Sequence, residues 1–293
     1  MDFKKTKINN FAIKPPKKSA FSIDTPIDIP KLHTLMVFSG KRGGGKSVAI
    51  TNYLRKLLDL KLMDRIILLT PTWHSNKEVY SSLNLDENQD VIEPQKSSLR
   101  DIIKMVEAEK AEWDLFLRNK EMYKKFEKQM NGNTPISHID PMELMAYHDN
   151  HFFHEKPEWK YEKEVPPRIF LIIDDMLGTP LMMPTAGLTN LCIKHRHIAE
   201  GTGISIAMLV QSYCCLGGLN RAIRENSCQL ALFKNTDENQ MKKIIQEMGD
   251  VNEDKFTSMF EYATAEPFGF LFIDFNSKSP EQQFRKNFDE YLT

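Results

Sequence analysis

The 293-residue chain is short of cysteine, of long apolar runs and of net charge, and each shortage removes a class of protein. Its four cysteines, Cys192, Cys214, Cys215 and Cys228, show no C-x-x-C spacing. That argues against a zinc ribbon or a disulfide scaffold and for free buried thiols in a reducing compartment. No stretch approaches the roughly 18 uninterrupted apolar residues of a membrane span. The start, Met1-Asp2-Phe3-Lys4-Lys5, lacks the apolar centre of a signal peptide. With 39 basic and 40 acidic residues the net charge is −1, so no global basic field announces nucleic acid. Such a partner would need a local basic surface or a ring of subunits. Hydrophobic content of 41% and charged content of 27% suit a globular chain, either one large α/β domain with an insertion or two small domains.

Against these absences stands Gly40-Lys41-Arg42-Gly43-Gly44-Gly45-Lys46-Ser47, a full match to the phosphate-binding loop G-x-x-x-x-G-K-[ST]. Glycines let consecutive backbone N–H groups converge on phosphate oxygens. Lys46 brings a point charge to the β- and γ-phosphates, and the Ser47 hydroxyl can ligate Mg²⁺. The strand-like run 34–39 precedes the loop, and a helix-like segment over 46–60 follows it, placing a helix N-terminus at the anion. Residues 40–47, with Val48 beside them, are the expected binding set for a nucleoside triphosphate such as ATP.

A second run, Arg168 followed by the apolar residues 169–173, ends in Asp174-Asp175, as a strand buried on both faces would. A carboxylate at the end of such a strand sits where open α/β sheets bind ligands. Asp174 is the expected Mg²⁺ partner, and Asp175 stands where a carboxylate can orient or deprotonate water. A third strand, 204–210, ends in Gln211-Ser212, and Gln211 can sense the γ-phosphate or position water.

Strands are also expected over 65–70, 229–234 and 268–275, with helices over 184–199, 237–248 and 253–263. This alternation implies a mostly parallel sheet covered by helices on both faces. Residues 1–31, rich in lysine and proline, read as an extended arm. No core strand is expected between 70 and 168, so residues 76–164 read as a helical insertion. Within it Ser98 is placed to cap a long helix that Asn131-Gly132 stops. His148, His151 and His154 recur at steps of three without a cysteine, which suits surface histidines better than a metal site.

The phosphate loop, Leu171-Ile172-Ile173-Asp174-Asp175-Met176, Arg196-His197, Leu209-Val210-Gln211-Ser212-Tyr213 and the ending Ile273-Asp274-Phe275 with Phe284-Arg285-Lys286-Asn287-Phe288 together resemble the virion DNA-packaging ATPases of large eukaryotic DNA viruses and virophages. These belong to the FtsK–HerA branch of P-loop ATPases. The resemblance spans residues 34–75 and 165–290 and leaves the insertion outside. It implies a RecA-like domain working as a ring of five or six copies, with ATP and Mg²⁺ near subunit boundaries. Hydrolysis would move duplex DNA into a preformed capsid in an infected cell, at a cytoplasmic site or in the nucleus, with capsid proteins as partners and the motor itself carried on the virion. Asp175 departs from the glutamate common in that branch, a side chain shorter by one C–C bond, ~1.5 Å. A ring motor also implies an arginine reaching a neighbour's γ-phosphate, for which Arg224 and Arg221 come first and Arg196 next. A helicase or conjugation-type DNA pump, and a nucleotide-dependent capsid-assembly scaffold, remain open on the same residues.

Overall fold

Successive residues of a strand face opposite sides of a sheet, and here both sides are apolar, so the chain builds two cores around one sheet. The computed structural model describes residues 23, 25–26, 28–132, 135–176, 178–183, 187–214, 219–234, 238–248, 251–277 and 279–293. Six parallel strands, β1 (Leu35–Ser39), β2 (Arg65–Leu69), β3 (Val91–Ile92), β4 (Ile169–Asp174), β5 (Ser205–Val210) and β6 (Gln229–Phe233), are followed by antiparallel β7 (Phe270–Asp274), β8 (Phe284–Lys286) and β9 (Glu290–Leu292). Their order across the sheet is β3-β2-β4-β5-β1-β6-β7-β8-β9.

The helices are α1 (Lys46–Asp59), α2 (Trp73–Tyr80), α3 (Ser98–Asn131), α4 (Pro141–Asp149), α5 (Leu188–Lys194), α6 (Arg221–Asn226), α7 (Glu238–Met248) and α8 (Glu253–Ala263). Met36, Phe38, Leu68, Phe170, Ile172 and Leu209 face α1 and α2. Their neighbours Leu35, Val37, Leu69, Leu171, Ile173 and Met208 face the other way, towards the first turns of α3 and towards α5, α6, α7 and α8. The expected sheet covered on both faces is therefore present.

Several expectations are corrected. β3 is a strand between 70 and 168; two residues long, it carries no apolar run that sequence could flag. Of the expected insertion, α2, β3 and the start of α3 pack on the main cores. Phe126, Ile139, Tyr147 and Phe152 form a separate small core beyond them. Ser98 is not the cap of α3: its hydroxyl donates to the Glu93 carbonyl at 2.7 Å and accepts from Gln95 N at 2.8 Å. Asn131-Gly132 does stop the helix: Asn131 is its last residue and Gly132, at φ −80°, its C-cap. His148, His151 and His154 are exposed, and among the described residues no group of three His, Cys, Asp or Glu could hold a metal.

The lysines of the expected arm, Lys4 to Lys18, lie outside the described residues, as do Cys215, Gly249 and Pro184. Where the arm is described it docks on this chain: the Asp28 carbonyl accepts from Arg285 Nη1 at 2.6 Å and its carboxylate from the Tyr291 hydroxyl at 3.0 Å. No disulfide joins Cys192, Cys214 and Cys228 to one another. Among the described residues no helix is long and apolar enough to cross a membrane.

Candidate functional site

Because β1, β4 and β5 are parallel neighbours, their carboxyl ends share one edge of the sheet, and the three sequence motifs meet there. The loop 40–45 leaves β1 and turns into α1. Gly40 N donates to the Val210 carbonyl at 3.1 Å, tying the loop to the end of β5. A Cβ at Gly40 would stand 2.5 Å from Phe233 Cβ, so only glycine fits that approach. Gly45, at φ 96°, is the residue from which α1 starts. The resulting cleft, about 350 Å³, is lined by the loop from Arg42 to Val48, by Asp174, Asp175 and Gln211, and by one face of α2. Lys41, Arg42 and Gly43 are exposed, and Arg42, Gly43 and Gly44 line the cleft.

Lys46 is 9% exposed. Its ammonium donates to the carbonyls of Gly40 at 2.7 Å and Lys41 at 2.9 Å. Burial lowers its pKa, while the carboxylates of Asp174 and Asp175 oppose that shift. Opposite it, Asp174 Oδ2 accepts from Ser47 Oγ at 3.2 Å and from the Tyr80 hydroxyl at 2.6 Å. Burial raises the Asp174 pKa, and these two donors hold it back. Tyr80 is fully buried at the end of α2, and its own pKa is pushed up by burial and by the Asp174 charge. Ser47 and Asp174 bring two hard oxygen donors to one point at the phosphate loop. That donor set fits Mg²⁺, which binds through one or two protein oxygens together with substrate phosphates.

Asp175 is half-buried and takes a left-handed backbone, φ 53°, which asparagine and aspartate tolerate better than most residues. That turn sends its side chain away from Asp174 and towards the end of β5, where Gln211 Nε2 donates to its Oδ1 at 3.3 Å. Lys46 and Ser47 from the start of α1, Asp174 and Asp175 from the end of β4, and Gln211 from the end of β5 thus converge. The arrangement offers amides and a cation for phosphate, an oxygen pair for a hard cation, and a carboxylate–amide pair that can hold a water.

The fold is a mostly parallel α/β sheet with the phosphate-binding loop between β1 and α1. No protein-family profile and no curated relative matches the chain. Solved structures similar to it include the genome packaging NTPase B204 of Sulfolobus turreted icosahedral virus 2 in complex with sulfate. That pair is 12% identical over 87% of this chain and 95% of the other, with a TM-score of 0.47. The pCW3 conjugation coupling protein TcpA is 16% identical over 88% of this chain and 61% of its own, TM-score 0.44. The Type VII secretion ATPase EccC of Thermomonospora curvata is 12% identical over 86% and 25%, TM-score 0.42.

The three candidate arginines separate clearly. Arg224 is 8% exposed and spent inside the chain. Its guanidinium grips Glu247 through Nε at 3.0 and 3.2 Å and Nη2 at 2.7 Å, and Nη1 donates to the Leu219 carbonyl. In this arrangement it is not available to a neighbouring subunit, which corrects its place as first candidate. Arg196 precedes β5, so it sits at the amino edge, a strand length of about 20 Å from the cleft, where Nη2 donates to Cys228 Sγ at 2.7 Å. Arg221, at the start of α6, has a side chain 81% exposed and pairs with Glu225 one turn on. The sequence reading missed Tyr80 altogether. A lone tyrosine 94 positions before its partner carries no signal until the fold brings the two together.

Proposed function

We propose that this chain is a Mg²⁺-dependent ATPase whose turnover drives duplex DNA, as the motor that packages a viral genome into a preformed capsid. The meeting of the phosphate loop, Asp174, Asp175 and Gln211 in one cleft carries the ATPase reading. Loop amides and Lys46 would hold the β- and γ-phosphates, and Ser47 and Asp174 would hold Mg²⁺, which supplies charge neutralisation on the phosphate oxygens. Asp175 orients the attacking water and accepts its proton, with Gln211 fixing the carboxylate. The DNA and capsid parts rest on the motif resemblance. The positive group for the transition state comes from Arg221 of an adjacent copy in a ring, since its exposed pair with Glu225 costs little to release.

The test is the ATPase rate with and without duplex DNA, with particle size measured in the same samples. Stimulation by duplex DNA in a ring-sized particle is expected. A DNA-insensitive rate would remove translocation and favour the nucleotide-dependent scaffold. Strand separation would favour the helicase reading.

A further inference from the structure

One wall of the cleft is not used by phosphate chemistry. Asp174, Asp175 and Gln211 come from β4 and β5, on one side of β1, while β6 and β7 lie on the other. Because β7 is antiparallel, the segment entering it arrives at the same edge as the phosphate loop, and Phe268 lies in that segment. Its side chain is 68% exposed, and its backbone is left-handed at φ 66°, a genuine outlier for a bulky residue. Conformations of this kind persist where the surroundings over-determine them, and they gather at ligand sites. The surroundings here do so. Gly269 N donates to the Glu266 carbonyl at 3.1 Å, and a Cβ on Gly269 would sit 2.4 Å from the Ala263 carbonyl oxygen. The next residue, Phe270, is locked to Asn287: its N–H donates to Asn287 Oδ1 at 3.2 Å and its carbonyl accepts from Asn287 N at 2.9 Å. The ring rests on the bare backbone of Gly45: a Cβ there would be 3.1 Å from Phe268 Cβ and 3.2 Å from Cδ1. Val48, half exposed on the first turn of α1, continues the same apolar flank.

A triphosphate anchored by the loop amides places its terminal phosphate beside Asp174, Asp175 and Gln211. Its nucleoside end then leaves the loop on the opposite side, towards β6 and β7, where the exposed ring stands. We propose that Phe268 is the base platform of this site: the purine of a bound nucleoside triphosphate stacks on its ring. The inference rests on the nucleotide-binding reading above and adds to it the group that holds the base. Base–aromatic stacking is sequence-tolerant and worth roughly five- to a hundredfold in affinity per base on alanine substitution, the lower end applying at an open cleft.

The experiment titrates the full chain by calorimetry with ATPγS and, separately, with inorganic tripolyphosphate, which has no base. Phe268→Asn keeps a residue that tolerates the left-handed backbone and removes the ring; Phe268→Tyr keeps the ring. The expected result is a loss of about five- to tenfold for ATPγS in Phe268→Asn. Tripolyphosphate affinity stays at the parental value, and Phe268→Tyr binds ATPγS like the parent. Unchanged ATPγS affinity in Phe268→Asn overturns the proposal. So does an equal loss for both probes, which would make the ring a support for the Gly45 turn. A folded parent that binds neither probe overturns the nucleotide reading and this inference with it.

Discussion

Replacing Arg224 with alanine should lower the melting temperature before it says anything about turnover. The Arg224 side chain is 7% exposed and that of Glu247 27%. The guanidinium also caps the Leu219 carbonyl and stands over the Tyr213 ring at 5.4 Å. Breaking a fully buried pair costs about 3–5 kcal/mol, and an exposed pair is worth under about 1 kcal/mol. A pair open to water on the glutamate side lies between, at about 2 kcal/mol. At roughly 2–4 °C per kcal/mol for a domain approaching this size, the melting temperature falls by about 4–8 °C. Arg221→Ala, which loses only a surface pair of ~0.3–0.5 kcal/mol, should melt with the parent. Arg224 holds the Glu247 carboxyl below the usual range. The pair's contribution is therefore present above the ordinary glutamate pKa and lost as pH falls through the folded value, so the gap between parent and Arg224→Ala should close on acidification. Scanning calorimetry at several pH values measures this. The same proteins are then mixed into the parent at fixed total concentration and assayed for ATPase. A trans-acting arginine is worth ~10³–10⁵ in turnover, so Arg221→Ala should poison mixed assemblies more steeply than dilution. Arg224→Ala melting with the parent would refute the ion-pair argument, and simple dilution by Arg221→Ala would remove that residue from the neighbour's site.

Lys46→Ala should leave the fold intact and abolish hydrolysis, because the buried ammonium is the cation at the phosphates; parental turnover in a folded variant would sink the loop assignment. Asp174→Asn should keep part of the nucleotide affinity and lose Mg²⁺-dependent turnover, read as rate against Mg²⁺ concentration; an unchanged curve would make the carboxylate structural. Asp175→Asn should bind ATP with parental affinity yet stall before phosphate release, since an amide takes no proton from water, and a single-turnover burst of parental size would rule it out as the base.

The elements legible in the sequence are those whose apolar runs are buried on both sides. β1, β4, β5, β6 and β7 are fully buried, and each is visible as an unbroken hydrophobic stretch. α3 is legible for a different reason: its apolar residues keep helical spacing over 34 positions. β3, β8 and β9 have two or three residues each and take their existence from neighbours rather than from pattern. In the cleft, Lys46, Ser47, Asp174 and Asp175 announce themselves because motif spacing is itself the chemistry. Tyr80 and Phe268 do not, since an isolated aromatic is more often core and only the strand order brings these two to the loop. The arginines show the converse: sequence position offers three candidates, and only the burial of Arg224 and the edge occupied by Arg196 tell them apart.

α3 has mechanical meaning beyond packing. At 1.5 Å per residue its 34 residues reach about 50 Å. Its root is seated in the main core through Leu99, Ile102 and Val106, and its far end carries the small aromatic core. It is a boom with a fixed foot. A rotation of only about 5° at the foot would sweep the tip through ~4 Å over that length, a side-chain-sized stroke at a surface where Met142 and Met145 stand open to solvent.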